Sequence, residues 1–134
     1  MTHTGSRVER TVIAGEGLPP TLGPYSPAVR AGDVLHVSGQ PGIGDVPGEP
    51  VGPTFGEQAR QAFANLERVL RAGGSRPELV VNVTVMLTDV GNFPELNEIF
   101  AEVFPDDPPA RVSMQIGLAP GFHITVACTA LVED

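Results

Sequence analysis

A lone arginine follows a proline-rich loop in the stretch Pro108-Pro109-Ala110-Arg111-Val112-Ser113. Proline blocks helix and holds the residue before it extended. The chain then alternates, with Val112, Met114, Ile116 and Leu118 on one side and Arg111, Ser113 and Gln115 on the other. A guanidinium at the start of such a strand aims its fork of donors away from the backbone, which suits bidentate capture of a small carboxylate. A surface arginine at a strand edge is the plainer reading, and the local pattern leaves both open. The turn Gly23-Pro24-Tyr25-Ser26-Pro27 holds the only tyrosine of the chain. Its phenol can donate or accept at a site mouth, or simply pack its ring. Val37-Ser38-Gly39-Gln40 ends a strand-like run. Glycine there lets a ligand or a neighbouring chain approach the backbone, unless the segment is a plain strand end.

Other chemistries lack their parts. All eight basic residues are arginine, so no lysine can form a Schiff base, and pyridoxal phosphate has no anchor. His3, His36 and His123 lie far apart, without carboxylate or cysteine at ligand spacing, so no metal site is expected. The single cysteine, Cys128, cannot close an internal disulfide and sits in an apolar run, which suits a buried thiol. No nucleophile elbow or phosphate-cradling glycine loop is present, although a relay can be assembled from distant segments. A net charge of −8 argues against nucleic-acid binding. Arg60, Arg68 and Arg71 share their segment with Glu57 and Glu67 and read as a solvated helix face. No apolar run is long enough for a membrane and no signal segment opens the chain, so the expected location is cytoplasmic.

These residues need elements to position them. The 134 residues suit one domain, read as 1–134 with an N-terminal segment 1–22 and a core 23–132. Val8 to Ala14 is a short strand. Val29 to Ser38 is a hairpin turning at Ala31-Gly32-Asp33. Gly39 to Pro53, with five glycines and four prolines, is a loop long enough to form a functional rim. Thr54 and Glu57 form a capping box. Behind it Phe55, Ala59, Ala62, Phe63, Leu66, Val69 and Leu70 recur at helical spacing. Val80 to Leu87 is a β-branched strand. Asn92 with Glu95 caps a second helix, apolar at Phe93, Leu96, Ile99, Phe100 and Val103. Val112 to Leu118 and His123 to Val132 are the last strands. The order β-β-β-α-β-α-β-β predicts a two-layer α+β domain, a mixed sheet with two helices on one face. The other face needs a cover, so assembly through the sheet is expected.

Taken together the segments resemble the Rid family of enamine/imine deaminases, also called the YjgF family, from about Gly23 to Val132. The resemblance rests on Gly23-Pro24-Tyr25-Ser26, Val37-Ser38-Gly39-Gln40, Glu57-Gln58-Ala59-Arg60-Gln61-Ala62 with Asn65-Leu66, Thr84 to Asp89, Asn97 with Phe104, and Pro109-Ala110-Arg111. It implies a chorismate-mutase-like fold in a homotrimer, sheets facing inward, with clefts between subunits. It also implies hydrolysis of 2-imino or 2-enamino acids to 2-keto acids and ammonia, without metal or cofactor. Arg111 would then bind the substrate carboxylate, and Tyr25 would approach from the neighbouring subunit. Ser113 would line the pocket where the family often has cysteine. Ser38, Gly39 and Asn97 would lie at the cleft. An imine is already electrophilic, so such a site need only orient a water and stabilise charge.

One position departs from the pattern. The family places a water-positioning glutamate in the last strand, and here alternation puts Thr125 there. Threonine can hydrogen-bond a water but cannot act as its base at neutral pH. Three outcomes stand: a weaker deaminase, substitution by His123 on the same strand face about 7 Å away, or a pocket that binds a small carboxylate without turnover. An endoribonuclease reading comes with older family labels and conflicts with the acidic charge.

Overall fold

The computed structural model describes residues 8–133. His3 therefore lies outside the described residues. Six strands form one sheet: β1 (Thr11–Ile13), β2 (Ala28–Ala31), β3 (Val34–Pro41), β4 (Val80–Leu87), β5 (Ala110–Gln115) and β6 (Ile124–Leu131). Their spatial order is β1-β2-β3-β6-β4-β5. All neighbours run antiparallel except β4 and β5, which are parallel and joined through helix α2 (Phe93–Val103). The long helix α1 (Phe55–Ala72) packs on the same face of the sheet. The expected mixed sheet with two helices is therefore the observed architecture. Among the described residues, no helix is long and apolar enough to cross a membrane.

Helix α1 follows from its sequence. Thr54 has extended backbone angles and its hydroxyl oxygen accepts from the Glu57 N–H, as the capping box requires. All seven apolar positions of its stripe are buried. They share one core with Leu35 and Val37 of β3, Val83 and Val85 of β4, and Val126, Cys128 and Ala130 of β6. Phe63, Phe100 and Phe104 close the outer corner of the core, with ring centroids 4.8–6.2 Å apart. Cys128 lies in this core, where burial pushes its thiol from an ordinary 9.0 up to about 12. Folding keeps that thiol protonated. The resulting stabilisation is complete below pH 9 and is lost as pH rises toward 12. The chain has no lysine to titrate alongside it. We expect the unfolding midpoint to fall above pH 9, with Cys128→Ala flattening that fall; equal slopes would remove Cys128 as the cause.

Several boundaries shift. The first strand is shorter than Val8 to Ala14, and β3 runs on to Pro41. The last strands end at Gln115 and Leu131, so Ile116 and Leu118 lie beyond β5. Asn92 does not cap α2 with its side chain, a correction to the capping expectation. It closes a 3-10 turn (Val90–Asn92) at φ −87° and ψ 1°, outside the extended region an N-cap needs. Asp89 caps that turn instead, accepting from the Gly91 N–H at 2.8 Å.

Two polar residues interrupt the buried stripe of α1 and tie the rim loop down. The Gln58 amide is fully buried. Its Nε2 donates to the carbonyls of Gly52 and Gly121, both at 2.9 Å, and its Oε1 accepts from the His123 N–H at 2.8 Å. Asn65 Nδ2 donates to the carbonyls of Pro41 and Ile43. Gly42 lies so close to α1 that a Cβ there would sit 2.5 Å from the Gln58 carbonyl oxygen. Gln58→Met would keep the volume but leave two carbonyls and an N–H without partners. We expect it to cost about 3 kcal/mol of unfolding free energy, read from the urea midpoint. A loss below about 1 kcal/mol would show that the clip does not hold the loop.

Candidate functional site

Arg111 is the second residue of β5, an edge strand. The register pairs Arg111 with Val83, Ser113 with Val85 and Gln115 with Leu87. Those β4 residues are fully buried under the helices, so Arg111 and Ser113 share the helix face. Val112 and Met114 face the open side, 51% and 39% exposed. The Arg111 guanidinium carbon lies 4.9 Å from the centre of the Phe100 ring. That stacking fixes its direction and leaves the N–H edges unused. Arg60, Arg71 and Arg76 all form ion pairs, whereas Arg111 has no carboxylate partner among the described residues. Ser113 Oγ is buried without a hydrogen-bond partner among the described residues. An orphaned hydroxyl costs about 1–3 kcal/mol, a cost that a bound ligand would relieve. Asn97 is exposed on α2, one turn before Phe100. Arg111, Ser113 and Asn97 thus belong to one end of the molecule, around β5 and α2.

The other expected residues gather elsewhere. Tyr25, Gly39 and Thr125 line a cavity of about 150 Å³ where β3 ends and β6 begins. The loop carrying Tyr25 is pinned to β3 by Ser38, whose Oγ donates to the Ser26 carbonyl at 2.6 Å and whose N–H donates to that of Pro27 at 3.0 Å. Ser38 therefore commits its proton to the loop and keeps only oxygen lone pairs for any other contact. The Tyr25 hydroxyl oxygen accepts from the Leu22 N–H at 3.1 Å, which leaves its own proton free to donate. Thr125 pairs with Met86, so it faces the open side of the sheet, opposite to Arg111. A Cβ on Gly39 would lie 3.0 Å from Thr125 Oγ1. Glycine there keeps the hydroxyl accessible. Among the described residues, no carboxylate lines this cavity.

The structure thus divides the seven residues into two groups. Within one chain β5 lies two strands from β6, about 10 Å across the sheet, and the two groups point to opposite faces. His123 belongs to neither. Its Nε2 lies 2.9 Å from the Pro53 carbonyl oxygen, and its ring anchors the rim loop rather than lining the cavity. Sequence reasoning assigned no role to Gln58 or to Leu22 and Phe122 of the cavity wall. Only Gln58 carried a local signal, a polar residue on an otherwise apolar helix stripe.

The chain thus carries two separate features on an α+β sheet: an unpaired guanidinium stacked on an aromatic ring, and a half-open cavity with two hydroxyls. Comparison with known proteins places the fold in a family. The family model described as Endoribonuclease L-PSP matches residues 16–132. Reactive Intermediate Deaminase A, chloroplastic, of Arabidopsis thaliana is 34% identical over 131 residues, covering 97% of this chain and 70% of that protein. Human 2-iminobutanoate/2-iminopropanoate deaminase is 35% identical over 127 residues, covering 94% and 93%. The crystal structure of yeast Mmf1 superposes with a TM-score of 0.86 at 29% identity, covering 93% of this chain and 100% of that one. The chain belongs to the Endoribonuclease L-PSP family, which is the Rid family of the sequence resemblance.

Proposed function

We propose that this protein hydrolyses reactive 2-imino and 2-enamino acids to 2-keto acids and ammonia, at clefts between the subunits of a homotrimer. The observation that carries the reading is the unpaired Arg111 fork stacked on Phe100, beside the orphaned Ser113 hydroxyl. Copies would associate through the open sheet face, sheets inward, as in a chorismate-mutase-like trimer. On the strands that face carries Val29, Thr84, Met86, Ala127, Thr129, Val112 and Met114, with His36 its one ionisable side chain, in a chain of net charge −8. Such a patch suits burial against a second copy. Because β5 is the edge strand, Arg111, Ser113 and Asn97 of one subunit would reach Tyr25, Ser38, Gly39 and Thr125 of the next around that edge.

In this cleft Arg111 holds the carboxylate and sets the substrate's register. Tyr25 donates toward the nitrogen or the developing oxygen, and Thr125 hydrogen-bonds the incoming water. Water adds across C=N, the C–N bond then breaks, and ammonia leaves with the 2-keto acid as the other product. The names of the human and Arabidopsis relatives support this substrate class. RNA cleavage, suggested by the family's description, conflicts with the net charge of −8, and three of the eight arginines are tied to acids. The test is the decay of 2-iminobutanoate generated by a dehydratase, followed with and without the protein. Acceleration is expected, and no acceleration would overturn the reading. A cavity wall with Thr125 and no carboxylate among the described residues favours a second reading, a trimeric 2-keto acid binder without turnover. Tight calorimetric binding of 2-keto acids with no imine decay would select it.

A further inference from the structure

We infer that the cavity beside Tyr25 and Thr125 is a side-chain subsite that selects uncharged aliphatic substrates larger than the three-carbon acid. The inference rests on the carboxylate-site reading above, whether or not turnover occurs. Apart from Tyr25, Gly39 and Thr125, the wall is apolar: Pro41, Leu118, Phe122 and Ile124, with Leu22 at the rim and Ala119 beside it. Phe122 is buried, whereas Leu22 and Tyr25 are 48% and 46% exposed. An exposed leucine and an exposed tyrosine ring at this cavity make a surface that gains from being covered. Among the described residues no charged side chain lines the cavity, so none of them compensates an ionised group there. The substrate's carboxylate therefore belongs with Arg111, and its other end belongs here. A closed cavity of about 150 Å³ accepts a benzene-sized group. This one, equally large but half-open, has room for an isobutyl chain and leaves a methyl group mostly uncontacted.

Each buried methylene strengthens binding several-fold, and apolar pockets discriminate by about 10- to 200-fold per missing group when fully enclosed. For a half-open pocket we expect 4-methyl-2-oxopentanoate to bind the wild-type protein about tenfold tighter than pyruvate by calorimetry. 2-Oxoglutarate, with a second carboxylate, should bind more weakly than either. Leu22→Ser keeps the backbone N–H that meets Tyr25 and replaces an exposed side chain, so it leaves the fold intact. It should narrow the gap between the two acids, lowering the affinity for 4-methyl-2-oxopentanoate more than that for pyruvate. Equal affinities, a preference for pyruvate, or no binding of any acid would overturn the inference. Imine turnover with flat affinities removes the subsite and leaves the deaminase standing. Graded affinities without turnover remove the deaminase and leave the subsite.

Discussion

Arg111→Ala should lower kcat/KM for 2-imino acids by about 100-fold or more, through loss of a charge-assisted bidentate contact. The same change should leave the fold nearly untouched. Arg111 is exposed, has no ion pair among the described residues, and touches the core only by stacking on Phe100. An exposed stacking contact of that kind contributes about 0.5–1 kcal/mol. A large activity loss with a small stability loss is therefore the signature of a substrate clamp. Arg111→Lys separates charge from geometry. Lysine keeps the charge but loses both the planar fork and the ring stacking, so it should recover only a minor part of the activity. Full activity in Arg111→Lys would show that any cation suffices. Equal activity in Arg111→Ala and wild type would remove Arg111 from the site altogether.

Much of what places Arg111 is local and was legible. Alternation from Arg111 to Gln115 holds in the structure, and so does the apolar stripe of α1, because both depend only on periodicity and burial. Which side of β5 meets the helices was not legible. Local pattern favours Val112 and Met114 as inward, yet they face outward, because the parallel pairing with β4 sets Arg111 beside Val83. That pairing depends on the crossover through α2, a long-range fact. The same holds for β6, which inserts between β3 and β4 although it comes last in the chain. Its insertion brings Thr125 to Gly39 and sends the two groups of site residues to opposite faces. Tyr25 shows the other kind of loss. The prolines around it announce a rigid turn, but the Leu22 N–H that occupies its oxygen belongs to tertiary detail.

Thr125→Glu should raise kcat for imine hydrolysis by about 100-fold, within the range of a positioned general base. The cavity has room for the longer side chain, since Gly39 places no Cβ against position 125. Its surroundings would also help. The apolar wall of Leu118, Phe122 and Ile124 disfavours an ionised carboxylate and would push its pKa upward, toward the range where a base works at neutral pH. The gain should therefore appear with a rise of kcat with pH through one acid ionisation, absent from wild type. Thr125→Gln is the control, matching glutamate in size and in hydrogen bonding to water but lacking its basicity. A gain in the glutamate variant alone would identify proton removal from water as the step that Thr125 leaves slow. Equal gains in both would assign the effect to water positioning. No gain in either would mean that the substrate's own electrophilicity carries the reaction, and that Arg111 and Tyr25 supply what catalysis the site needs.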